Sequence, residues 1–281
     1  MSAWSRFFRD KLALAAGGVV LLFIGVAIAA PILAPYAPAQ QFPEGLSLQG
    51  SPLPPFGRFW LGTDLLGRDL LSRLLYGTRA SLLVGLVANS VAVLLGTFLG
   101  TIAGYTRGFL GELIMRFTDL MMAFPALLLA IALAAIWRPS LWIVALVIAL
   151  VNWVQIARVV YAQVTALVKQ QHFQAARALG ATHWQMLTWH LLPHLVPTML
   201  VWGTLGISTT VLQEATLSFL GVGVQPPTPS WGGIINESQS FLQSAPWLVI
   251  FPGLAILILA LAFNLLGDGV RDALDPTERN R

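Results

Sequence analysis

Residues 169–197 read KQQHFQAARALGATHWQMLTWHLLPHLVP, a polar and basic island between long apolar segments that holds all four histidines of the chain. His172 to Leu179 is a run of good helix formers, and Gly180 stands where a helix ends in a left-handed residue. Thr182, with Gln185 three positions on, forms the Thr-x-x-Gln capping box of a second helix. Pro193 lacks a backbone donor and pushes Leu192 away from helical geometry, so this second helix is expected to close by Leu192. The island is thus expected to be two short helices meeting at a bend. Ala175, Ala176 and Ala178 keep one limb slim enough to fit into another body, although spacing alone suits an ordinary amphipathic loop equally well.

Gln174-Ala175-Ala176, then Gly180, then His190-Leu191-Leu192-Pro193 resembles the EAA loop (EAA-x3-G-x9-I-x-L-P) of membrane subunits of bacterial ABC importers. The resemblance implies that the island is a cytoplasmic coupling helix that docks in a cleft on a separate ATPase subunit. It implies coupling roles for Gln174, Ala175, Ala176, Ala178, Leu179, Gly180, His190, Leu192 and Pro193. Gln174 replaces the Glu of the pattern, keeping its shape and acceptor but losing the charge. His190 stands at an aliphatic position, as in the peptide-transporter branch, which reads H-x-L-P-N there. His194 departs from that branch's Asn.

Composition places the whole chain. With 57% hydrophobic and 10% charged residues and a mean hydropathy of +0.76, it is not an ordinary soluble domain, which carries about 25% charge. It is an integral membrane protein, with membrane lipid as its solvent. The absence of cysteine excludes disulfides, thiolate catalysis and Cys-ligated metal. The net charge of +4 is no footprint of nucleic acid, and no nucleic-acid partner is expected. What matters is where the positive charges lie.

Outward from the island, the apolar segments read as six spans. The first, Leu12–Leu33, exceeds the roughly 7–15 residues of a signal-peptide core and is expected to be a retained helix. Residues 35–55 are proline-rich without regular structure. In LGTDLLGRDLLSRLLYGTRASLL, Leu66, Leu70 and Leu74 form a stripe, with Arg68, Asp69, Ser72 and Arg73 off it. This fits either a helix lying in the membrane interface or a polar extension of the next span. The second span, Ser81–Gly104, carries Gly96-x3-Gly100-x3-Gly104, a face that another helix can approach closely. The third is expected over Asp119–Trp137 with Pro125 inside it, the fourth over Leu141–Val164, the fifth over Leu195–Leu220 and the sixth over Trp247–Gly267. Between the last two, 234–243 has the character of a short helix.

The expected partition is a segment 1–78 with the first helix, an outer stretch and an interfacial helix, a core 79–270, and a tail 271–281. If the amino terminus is cytoplasmic, eleven of the sixteen basic residues, Arg107, Arg279 and Arg281 among them, fall on that side. The positive-inside rule therefore places both ends and the island in the cytoplasm.

The chain holds no Gly-x4-Gly-Lys-Ser/Thr phosphate cradle, and Lys11 and Lys169 both lack that context. It is not expected to be an enzyme or to carry a cofactor. His190 and His194 are four apart, but Pro193 interrupts them and no Glu supplies H-E-x-x-H, so no metal site is expected. Glu214 is the acid nearest the membrane interior. It reads either as part of a translocation path or outer gate, with Ser208, Thr209, Ser218 and Gly221, or as an acid hydrogen-bonded by a neighbouring subunit. Asn89, Asn152, Gln155 and Asn264 read as helix–helix hydrogen bonds rather than ligand contacts.

The resemblance extends along the chain through GTD-x2-GRD-x2-SR, LSFLGVG-x-PP-x-PSWG and NLLGDGVRDALDP, in the peptide and nickel branch of the permeases. It implies an all-α membrane protein with the type I ABC importer permease fold, six spans and cytoplasmic termini, in the bacterial inner membrane. It implies a second homologous permease subunit, two ATPase subunits that bind ATP and Mg, and an extracytoplasmic solute-binding protein. The implied cargo is a dipeptide or oligopeptide, with glutathione or a nickel complex as related solutes. The rival reading, an ion-coupled secondary transporter, calls for several mid-membrane acids. This chain offers Glu214 and Asp119.

Overall fold

The Gly96-x3-Gly100-x3-Gly104 stripe lies against the fourth span, as its spacing predicts. A methyl group on Gly100 would meet the Ala157 carbonyl oxygen at 2.5 Å, and one on Gly96 would meet Ile156 Cβ at 2.7 Å. Only hydrogen fits between these backbones. Trp153, Ile156, Ala157, Val160 and Val164 fill the seam with Ala92 and Val93, all buried.

This computed structural model describes residues 6–106 and 108–274. Residues 1–5, Arg107 and 275–281 lie outside them, and with them Arg279, Arg281 and the end of the NLLGDGVRDALDP block. The helices are α1 Lys11–Leu33, α2 Leu70–Thr106, α3 Phe109–Met122, α4 Ala126–Ala134 and α5 Leu141–Leu167, then α6 Gln171–Ala178, α7 His183–Gln185, α8 Leu192–Phe219, α9 Trp231–Ser238 and α10 Trp247–Leu274. Among the described residues the only β pairing is isolated bridges in the segment before α2.

Five helical stretches, α1, α2, α5, His183–Phe219 and α10, are long and apolar enough to cross a membrane, and six if α3 and α4 count as one bent span. That pair differs from the straight third span expected over Asp119–Trp137: α3 and α4 meet at 90°. The cause is Pro125, which sits at the N-cap of α4 with an extended ψ of 124° and lacks the donor that would continue α3.

Two further expectations are corrected. The helix that starts at His183 does not close by Leu192. It widens into a π-helical turn over Met186–Leu191 and continues as α8, with Pro193 in the first turn. There a missing N–H leaves no intrahelical bond unmade. The polar stretch before the second span is no separate interfacial helix. Residues 61–69 form turns and isolated bridges, and from Leu70 the stretch runs on as the first turns of α2 with no break before Thr106. The positions 78 and 270, expected as segment boundaries, therefore fall inside α2 and α10.

Asp64, Arg68, Asp69 and Arg73 of that stretch are buried. Asp69 caps α2 by accepting from the Ser72 N–H at 2.8 Å and the Ser72 hydroxyl at 2.6 Å. Arg68 donates to Asp64 at 2.6 Å and to Glu237 of α9 at 2.7 Å. Arg73 bridges the same two acids. Trp231 of α9, fully buried, donates its indole N–H to the Leu74 carbonyl at 3.2 Å. This cluster ties the strap before α2 and α9 to the α2 N-terminus.

Replacing Gly100 with leucine must push α2 and α5 apart, whereas no atom lies within 4 Å of a Cβ built on Gly18. Gly100→Leu is expected to lower stability by about 1–3 kcal/mol or more, the usual range for overpacking. Gly18→Leu should be near neutral, as thermal unfolding of the purified protein in detergent would show.

Candidate translocation cleft and coupling loop

The helix α5 has two faces. The one packed on α2 is apolar, and the other turns Asn152, Gln155, Val159 and Gln163 into a cleft of about 720 Å³. Those positions recur at three and four residues, one stripe of a 3.6-residue helix. Opposite them α8 contributes Thr198, Val201, Thr209 and Gln213, with Asn89 of α2 and Arg271 of α10 completing the lining.

Most of the cleft's polar groups hold one another. The Asn152 amide donates to Gln213 at 2.8 Å and accepts from it at 3.2 Å. Gln163 and Thr198 are joined at 2.8 Å. Asn89 donates to the Gly203 carbonyl at 2.9 Å, and the Thr209 hydroxyl to the Gly206 carbonyl at 2.9 Å. Apart from Thr209, which bonds within α8, these side chains form rungs between α5 and α8, and between α2 and α8.

Of the residues expected along a path or outer gate, Thr209 alone lines this cleft. Ser208 is buried, and Glu214 is fully buried on the other side of α8. Its carboxyl accepts from the Ser81 hydroxyl of α2 and the Ser218 hydroxyl, each at 2.8 Å. Ser218 in turn accepts from the Val224 N–H at 3.0 Å. Glu214 thus ties α2, α8 and the following connector within its own chain. Gly221, with φ +80°, turns that connector away from α8. The cleft residues that sequence reasoning passed over are Gln163, Thr198 and Gln213, and the signal was the three-and-four spacing of amides and hydroxyls on two spans.

The loop between α5 and α8 carries the predicted bend. Gly180 has φ +87°, a left-handed conformation natural to glycine. Its N–H donates to the Arg177 carbonyl at 3.1 Å and that of Ala181 to Ala176 at 3.2 Å. This is the Schellman ending of α6. Thr182 and Gln185 form the capping box, at 2.8 Å and 3.3 Å. Phe173, Met186 and Leu191 are buried and root the loop in the core. Gln174 donates its amide N–H to the Val168 carbonyl at 2.6 Å, so the donor gained by replacing Glu is the part that is used.

Gln174, Ala175, Ala178, Leu179, Gly180, Leu192 and Pro193 are exposed, with Ala176 and His190 half-buried. Leu179, Trp184 and Trp189 stand 88%, 73% and 78% exposed on the same loop. Large apolar side chains exposed at that density mark a contact surface. The histidines are engaged separately: His183 with the Tyr105 hydroxyl at 2.6 Å, His194 with the His190 carbonyl at 2.8 Å, and His172 stacked on His194.

Five long apolar helices and one bent pair around a polar cleft, with a bent and exposed loop on one side, fit a membrane transport component. The chain belongs to the family described as binding-protein-dependent transport system inner membrane component, whose model matches residues 96–280. Residues 1–55 match the N-terminal TM domain of oligopeptide transport permease C. The glutathione transport system permease protein GsiD of Pectobacterium atrosepticum is 43% identical over 97% of this chain and 89% of its own length. The dipeptide transport system permease protein DppC of Alkalihalophilus pseudofirmus is 42% identical over 98% and 90%. The di/tripeptide transport system permease protein DppC of Pseudomonas aeruginosa is 42% identical over 99% and 92%.

Among solved structures, the inward-facing MetNI methionine ABC transporter superposes with a TM-score of 0.61 at 20% identity, over 73% of this chain and 98% of that one. An amino acid ABC transporter superposes with a TM-score of 0.54 at 15% identity, over 73% and 95%. The fold is that of a type I ABC importer permease. The protein is a multi-pass inner-membrane transport component, and its role is transport rather than catalysis.

If the Asn152–Gln213 pair is a working rung, Asn152→Leu and Gln213→Leu should each lower stability by about 0.6–2 kcal/mol. The double variant should lose less than the sum of the two, because each single change already breaks the pair. Thermal unfolding of the three variants in detergent checks this.

Proposed function

We propose that the chain is one of two permease subunits of an ATP-driven importer that carries small peptides inward by alternating access. The observation that carries this reading is the near full-length identity of 42–43% to permeases named for dipeptides, di/tripeptides and glutathione. Glutathione is itself a tripeptide, so these relatives agree on a peptide cargo. A nickel complex remains the more distant solute.

In this reading the loop from Gln171 to Pro193 lies in the cytoplasm and docks on a separate ATPase subunit. The exposed Leu179, Trp184 and Trp189 supply apolar contact, while Phe173, Met186 and Leu191 carry the motion into α5 and α8. ATP and Mg are bound by two such partner subunits. The cleft is half of a path, and a second, homologous but different permease subunit closes the other half. An extracytoplasmic binding protein delivers the peptide on the opposite side, where α9 and the strap before α2 form the cap. Chemically the chain binds, orients and releases, and the energy comes from the docked motor.

The lever depends on Gly180. A valine there must adopt a left-handed conformation that costs L-residues about 1–2 kcal/mol. Gly180→Val should leave the protein in the membrane and the ATPase active, but cut peptide uptake per ATP hydrolysed by about tenfold, since 1.4 kcal/mol is tenfold. Uptake and hydrolysis are measured side by side in proteoliposomes. Failure of ATPase subunits and a second permease to co-purify with the chain would overturn the reading.

A further inference from the structure

We propose that Arg271 is the charge-selecting group of this half of the path, favouring anionic, carboxylate-bearing peptides over cationic ones. The inference rests on the peptide-import reading. Every other polar residue of the cleft is neutral, which leaves Arg271 as the sole charge among the lining residues. It is exposed, and among the described residues no carboxylate pairs with it, although Asp268 and Asp272 lie on the same helix. The amides and hydroxyls of Asn152, Gln213, Gln163, Thr198 and Asn89 are already engaged within the chain.

Arg271 lies in the last turn of α10, at the loop end of the cleft with Thr198 and Leu274. A lone guanidinium in a concave, otherwise neutral wall raises the local concentration of anions and lowers that of cations. Its fork of donors matches a carboxylate bidentately, where lysine offers only a point charge. A guanidinium here also suits the negative end of the α10 dipole and the cytoplasmic side of a membrane protein. Those two roles are blind to the solute. Selection among peptides by charge is not.

The test uses the complete importer with its binding protein in proteoliposomes and compares uptake of glutamyl-alanine with that of lysyl-alanine. The binding protein is the same in every variant, so its own preference cancels. Arg271→Gln should lower the glutamyl/lysyl ratio by about thirtyfold, because one unit charge at about 4 Å in water acts by about 1 kcal/mol in opposite directions on the two peptides. Arg271→Glu should lower it further, and Arg271→Lys should keep the preference for the anionic peptide but weaken it, because the charge stays and the fork is lost. In the wild type, raising salt should reduce the ratio through screening, a readout that needs no variant to fold. A ratio indifferent to Gln, Glu and salt overturns the inference, as does an equal loss of both peptides. If the wild type carries neither peptide, the import reading falls first and this inference with it.

Discussion

Everything in this fold depends on how closely α2 approaches α5. Three glycines on α2 bring the two backbones into contact, with the Ala157 carbonyl 2.5 Å from where a Gly100 side chain would begin. In a bilayer, where lipid tails are as apolar as leucine, such close packing is what holds helices together. It also fixes the rotation of α5. With one face sealed on α2, the opposite face must turn Asn152, Gln155 and Gln163 toward α8, and a polar cleft results.

The two ends of the molecule are built on opposite terms. At the cap, Asp64, Arg68, Arg73 and Glu237 form a buried charge cluster in which each acid meets both arginines. Buried pairs of this kind contribute little net stability, but losing one partner strands the rest, so they hold the strap, α2 and α9 in register. At the loop, the bend is set by a Schellman ending, a capping box and a π-helical turn, and large apolar side chains are left exposed. One end is sealed upon itself and the other leaves its apolar side chains exposed.

Much of this was legible in the sequence. The membrane class, the five long spans, the Gly180 bend, the Thr182–Gln185 cap and the glycine stripe all follow from local chemistry that tertiary packing did not override. The misses have physical causes. Pro193 reads as a stop only where a helix must keep an i→i−4 ladder, and a π-helical turn before it removed that requirement. Pro125 gave a 90° bend because its extended ψ ends one helix and starts another, which a hydropathy window does not resolve. Glu214 drew attention as the lone acid in its span, yet Ser81 and Ser218 absorb it within the chain. The amides that line the cleft were dispersed over two spans, and their common face emerges once α5 is turned by its packing on α2.

The central claim is that the polar face of α5 is water-accessible and changes access with the motor. The chain contains no cysteine, so a single Gln155→Cys variant reports that face without background from this chain. In the assembled importer, a membrane-impermeant thiol reagent should label Cys at 155 from the cytoplasmic side without nucleotide, and from the outer side when the ATPase dimer is trapped closed. Labelling that ignores the nucleotide state, or none from either side, would contradict the account.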